Sequence, residues 1–109
     1  IEVYEGNGFK RDMSYHQGIT WPWLLGLYYD ALKNVMQFQK NKANRKAYEE
    51  KLEQFIEKTT QTFTKAIDND AVIGSISELY DSKKPYLPKG APAQAWSVAE
   101  VYRIILKGK

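Results

Sequence analysis

The sequence predicts an all-α fold: about three main helices forming a helical-hairpin fragment, a slice of a larger double-layered helical barrel. Two long stretches carry apolar residues around most of the helical circumference, and the stretch between them is apolar on one stripe only. Proline and glycine gather in the connections and near the chain start. A helix apolar on most sides is built to be buried, whereas a single apolar stripe marks a helix on the outside. The order along the chain is therefore buried, amphipathic, buried.

The first helix is expected from about Trp21 to about Gln39. Thr20 is suited to cap it, and Trp21 and Pro22 fall in the first turn, where a proline forfeits no hydrogen bond. Its apolar residues, from Leu24 through Phe38, leave only Asp30, Lys33, Asn34 and Gln37 as a polar stripe. Lys40 to Ala43 is a polar break, with Asn44 as the expected cap of a second helix to about Ile67. There Tyr48, Leu52, Phe55, Ile56, Phe63 and Ile67 recur at spacings of three and four or their sums, and lysines and glutamates cover the other side. Asp68 to Asp70 ends it. Pro85, Pro88, Gly90 and Pro92 hold the next connection out of helix. A third helix starts near Pro92 or Ala93 and runs to about Leu106. Ile1 to Met13 shows no sustained period and reads as loop.

Composition narrows the function. The chain has 109 residues, one unit at most, with 16 basic against 13 acidic residues, a net charge of +3. The lysines are scattered or paired with glutamates, so no nucleic-acid footprint is expected. With no cysteine and one histidine there is no thiolate site, and an all-protein zinc site is not expected. No apolar run reaches the roughly 18 residues of a membrane span. The chain starts at Ile1, and a piece of a longer protein is expected.

Consecutive helices that pack antiparallel put the first and third in the same direction, with their N-termini at one end. Each is preceded by a non-helical stretch, Tyr15 to Trp23 and Gly74 to Asp81, so topology alone brings the two stretches together. Two helix N-termini meeting there favour a carboxylate or a polar ligand. Two widely apolar helices also exceed what one outer helix covers, so further chain or a second copy must pack against them.

Glu78 sits among Ser75, Ile76, Ser77 and Leu79, with Asp81 as its main charged neighbour in sequence. Such surroundings tune a carboxylate for acid or base work, and equally suit a glutamate that caps a turn or faces water. His16 is either a ligand for a substrate hydroxyl or a structural hydrogen bonder. Trp21, Trp23 and Trp96 are core residues or sugar platforms, and the amides of Gln17 and Gln94 are of the kind that read sugar hydroxyls.

Tyr15-His16-Gln17-Gly18 through Trp21-Pro22-Trp23-Leu24-Leu25-Gly26, then Ile76 to Asp81, then Pro92 to Glu100, resemble the C-terminal part of the glycogen debranching enzyme family in order and spacing. The resemblance runs from about Ser14 to Leu106, and the middle helix adds nothing to it. It implies an (α/α)6 toroid of six helical hairpins and an amylo-α-1,6-glucosidase that removes branch-point glucose with inversion. It implies Glu78 as the general base, and substrate contact by His16, Gln17, Trp21, Trp23, Gln94 and Trp96. The general acid is expected upstream, since Asp12 and Asp81, the local substitutes, lie in no motif for that role. The isolated segment is accordingly expected to be inactive. Ala91 stands where a cysteine is common, and Lys83-Lys84 replaces a more acidic or glycine-containing turn. The implied partner is an α-glucan, glycogen or limit dextrin, in the cytoplasm, with no cofactor, metal, nucleic acid or membrane. The segment is expected to pack against the preceding part of the barrel or to self-associate. Two other readings remain at this level: a non-catalytic carbohydrate- or protein-binding helical domain, and another glucoamylase-like α-glucosidase.

Overall fold

The computed structural model describes residues 1–109, and it is all-α with one minimal sheet. The elements are α1 (Gly8–Ser14), α2 (Leu24–Phe38), α3 (Lys42–Asn69), β1 (Leu79–Tyr80), β2 (Pro88–Lys89) and α4 (Ala95–Lys107). The three long helices follow the expected order, although the two expected to be buried keep much of their apolar surface exposed within residues 1–109, and the boundaries move for identifiable reasons.

The first thirteen residues are not simply loop, because α1 forms there. The Asn7 carboxamide accepts from the Lys10 amide at 3.0 Å, so Asn7, within the stretch that reads as loop, is a helix cap. Seven residues are too few to show a helical period in the sequence. The start of α2 shifts from Trp21 to Leu24, and Thr20 does not cap it. The Thr20 amide and carbonyl are both taken by Tyr80, at 3.0 and 2.8 Å, which holds Thr20 extended. Trp21 to Trp23 instead make one tight turn, closed by the Leu24 amide on the Trp21 carbonyl at 3.2 Å. The cap of α3 is Asn41 and not Asn44: its side chain accepts from the Ala43 and Asn44 amides at 2.9 and 3.1 Å. Pro92 and Ala93 precede α4 rather than open it, and Gln94 is its cap.

Residue pairs fix how the helices run. Trp23 lies against Trp96 and Asp30 against Arg103, so α2 and α4 are parallel. Phe63 packs with Val101, while Gly108 lies beside Ile56, so α3 is antiparallel to α4. Gly26 permits the α2–α4 approach, since a Cβ there would stand 1.5 Å from Glu100 Oε2. One apolar cluster, built on Phe63, Ile76 and Val101, joins the three helices; a second, on Ile19, Trp21 and Leu79, lies under the loops at the N-termini of α2 and α4.

The core is small for the chain. Only 16 of 109 residues are buried, and α2 buries just Gly26, Tyr29 and Leu32. Leu24, Leu27, Tyr28, Val35 and Phe38 on α2 stay exposed, as do Trp96, Tyr102 and Leu106 on α4. The radius of gyration is 15.7 Å, against about 13 Å for a compact domain of this length. No helix is long and apolar enough to cross a membrane.

Candidate active site

The segment around Glu78 is held from both sides by backbone. The Gln94 amide donates to the Ile76 carbonyl and the Glu78 amide to the Ala91 carbonyl, both at 2.9 Å. Leu79 and Tyr80 pair antiparallel with Lys89 and Pro88, and Thr20 bridges Tyr80 on the opposite edge. Ile76 sinks into the inter-helix cluster and Leu79 into the loop cluster, each essentially without exposure. Glu78 is half-buried between these anchors, on the wall of an open cleft of about 740 Å³.

Two donors orient the carboxylate. The Tyr15 hydroxyl donates to Oε1, and the Ala91 amide donates to Oε2 at 3.0 Å. Gly90 makes the second contact possible: its φ is +69°, and a Cβ there would lie 2.4 Å from Oε2. Tyr15 is fixed in turn, with the Trp21 indole N–H donating to its carbonyl at 3.1 Å. Its ring meets Trp21 edge-on at 4.6 Å, His16 at 4.8 Å and Tyr4 at 5.8 Å. The bond to Glu78, followed by burial, pushes the Tyr15 phenol up to about 12, so it remains a donor across the physiological range.

The electrostatics around Glu78 are richer than its sequence neighbours imply. Arg11, Asp12 and Glu5 from the N-terminal segment line the cleft, together with Lys89. Asp81 is buried and already committed: it accepts from the Tyr4 amide at 2.8 Å and pairs with Lys89 at 3.7 Å. Tyr80, on the other side of the strand, gives its hydroxyl to Asp70 at 2.7 Å. Burial first, and that bond second, raise its phenol well above the usual range.

The predicted stretches do converge, as the Tyr15–Glu78 bond and the Thr20–Tyr80 bridge demonstrate. The individual residues divide. Of the seven expected site residues, Glu78 alone lines the cleft. His16 and Gln17 are exposed on the turn after α1, and the His16 ring stacks on Trp21 at 5.3 Å and 10°. Trp21 is buried. Trp23 and Trp96 pack at 5.9 Å with Trp96 still half-exposed, and Trp21 and Trp96 meet edge-on at 6.3 Å. Gln94 turns its carbonyl oxygen to the Ala95 amide at 3.1 Å. These six form or adjoin an aromatic cluster that borders the cleft through Tyr15.

A model of the amylo-alpha-1,6-glucosidase family matches residues 1–103. The chain belongs to that family. No curated protein matches it, and no solved structure does. The segment is thus related to the glucosidase part of glycogen debranching proteins, and the match includes the N-terminal residues that read only as loop. Those residues supply Tyr4, Arg11 and Asp12 to the cleft beside Glu78. Sequence reasoning also missed Tyr15, Gly90 and Ala91 as the residues that hold Glu78. Tyr15 stands in the first motif and Gly90 interrupts a proline-rich loop, yet neither pattern says which carboxylate it serves. Because Ala91 acts through its amide, a different side chain at this position leaves the contact to Glu78 in place.

Proposed function

We propose that this segment carries the water-activating half of an inverting amylo-α-1,6-glucosidase, with Glu78 as the general base. The observation that carries the reading is the state of its carboxylate. Both oxygens accept a hydrogen bond from donors fixed in different loops, and the group faces an open cleft. In an inverting hydrolysis the base takes a proton from water as the water oxygen attacks the anomeric carbon. The glycosidic oxygen leaves from the opposite face with a proton from a second carboxyl group. We place that acid outside residues 1–109: Asp81 is occupied by Tyr4 and Lys89, and Asp12 and Glu5, which line the same cleft, lie in no motif for that role.

The substrate is the single α-1,6-linked glucose left at a branch point of an α-glucan. Contact with it falls to His16, Gln17, Trp23 and Trp96, which keep exposed surface; Trp21 and Gln94 support them, one buried behind His16 and the other capping α4. The uncovered apolar faces of α2 and α4 and the small core support the reading that the segment packs against neighbouring hairpins of a toroid and works within that assembly.

The test is Glu78→Gln in the full-length protein, assayed for glucose release from a branch stub. Turnover falls by about 10²- to 10⁴-fold, the usual size of general-base catalysis, while the first product of the native enzyme is the β-anomer. Native turnover in the variant overturns the assignment of the base, and an α-anomeric first product overturns inversion. A panel of α-1,6, α-1,4 and α,α-1,1 glucosides fixes the linkage.

A further inference from the structure

We propose that Tyr15 is a positioning residue for the reaction, acting through the Glu78 carboxylate. The inference rests on the reading of Glu78 as the base.

Four observations converge on Tyr15. Its hydroxyl is the only side-chain donor to Glu78, and it reaches Oε1 across 63 residues of sequence. The other oxygen is held by backbone, through the Ala91 amide at 3.0 Å, so the phenol is the part of the clamp that a side chain controls. The Tyr15 backbone is pinned by the Trp21 indole at 3.1 Å, and its ring is wedged among Tyr4, His16 and Trp21. Tyr15 also lines the cleft, which places the phenol beside the space that a water molecule and substrate would occupy.

The chemistry follows from a carboxylate's two degrees of freedom. An isolated glutamate rotates about its terminal torsion, which has a broad, two-fold profile. Two donors on different oxygens remove that rotation and leave one lone pair on each oxygen for a further partner. A base held this way accepts the proton of an attacking water without first reorienting, the kind of preorganisation that governs rate rather than substrate affinity.

This arrangement gives the first motif a division of labour. His16 and Gln17 reach solvent on the turn, while Tyr15, one residue earlier, turns back to the second loop. The motif thus contributes to the base as well as to the substrate, and Trp21 earns its burial by fixing Tyr15 from behind.

The experiment is Tyr15→Phe in the full-length protein beside Glu78→Gln, with kcat and KM measured across pH on a branch-stub substrate. The phenylalanine keeps the ring packing and removes only the hydroxyl. The expected result is a kcat lower by about 10- to 100-fold, the scale of one hydrogen bond to a charged group. KM stays within about twofold, as for an interaction that acts on the transition state alone. Native kcat in a folded Tyr15→Phe protein overturns the proposal, as does an effect confined to KM. Should Glu78→Gln retain turnover, the base reading fails as well; an inactive Glu78→Gln beside a native-like Tyr15→Phe removes the positioning role alone. Circular dichroism of Tyr15→Phe confirms the native helix content, and rescue of thermal stability without rescue of kcat by stabilising solutes separates positioning from folding.

Discussion

The carboxylate of Glu78 at the loop end and the carboxylates of Asp30 and Glu100 along the helices have partners that differ in kind. Glu78 is held by a phenol and a backbone amide, both neutral, and faces a cleft. Asp30 and Glu100 share the guanidinium of Arg103, which reaches Asp30 through two bonds of 2.9 and 3.0 Å and Glu100 at 2.6 Å. A cation neutralises a carboxylate and ties it down; neutral donors orient it and leave its negative charge available to take a proton. The first network suits chemistry and the second suits the fixing of α2 against α4.

Substitutions that affect one network and spare the other put this contrast at risk. The largest effect is expected from Gly90→Ala. Its Cβ has no room beside Glu78 Oε2, and its φ of +69° strains any other residue. Displacing the carboxylate by about an ångström costs turnover about 10²-fold, read as kcat on a branch-stub substrate. Unchanged kcat would dissolve the special status of the loop network. Gly26→Ala is the matching change in the helical network, where a Cβ collides with Glu100 Oε2 and sits 2.8 Å from an Arg103 nitrogen. It lowers stability by about 1–3 kcal/mol, the range for overpacking, measured by denaturant unfolding, and shifts kcat far less than Gly90→Ala does.

A smaller effect is expected from Arg103→Met. All three side chains of that network are about a third or more exposed, so solvent screening holds the loss to about 0.2–1 kcal/mol. Its pH dependence has a definite sign. The bonds from Arg103 hold the Asp30 carboxyl below its ordinary value of 3.8. The pair therefore contributes stability above that value and loses it as the pH falls through the lower folded one. The difference between native and Arg103→Met in unfolding midpoint should shrink on acidification below pH 3.8 and stay constant above it. The smallest signal is spectroscopic. Tyr15 and Tyr80 should be the last of the eight tyrosines to form tyrosinate on alkaline titration, and Tyr15→Phe should remove a step near pH 12. Because the folded phenol titrates above its ordinary 10.0, its contribution to stability is whole below pH 10.0 and fades as the pH rises toward 12. A Tyr15 that titrates at its ordinary value would mean the bond to Glu78 is absent in solution.

The helices were legible because apolar periodicity is local. Leu24 to Phe38 and Ala95 to Leu106 declare wide apolar faces within one or two turns, and Tyr48 to Ile67 declares a stripe. Their ends were less legible, since caps depend on competition for the same backbone groups. Thr20 has the chemistry of a cap, but Tyr80, sixty residues away, takes its amide and carbonyl first. Asn41 displaces Asn44 because its side chain takes the Ala43 and Asn44 amides, which starts the helix about one turn earlier. In the site, Glu78 stood out as a carboxylate among small and apolar residues, whereas Tyr15 looked like one more aromatic residue in a tyrosine-rich chain.

The sequence by itself determined the helical class, the order of two widely apolar helices around one amphipathic helix, and the meeting of two non-helical stretches at one end. These follow from hydrophobic pattern and chain direction, which need no knowledge of distant partners. Only the tertiary structure decided which atoms meet there. The phenol of Tyr15 and the amide of Ala91 take the two oxygens of Glu78, Asp81 goes to Tyr4 and Lys89, and Trp21 goes inward. Hydrogen bonds are directional and short, so a choice among neighbouring donors and acceptors is settled within ångströms, and no spacing along a chain resolves that scale.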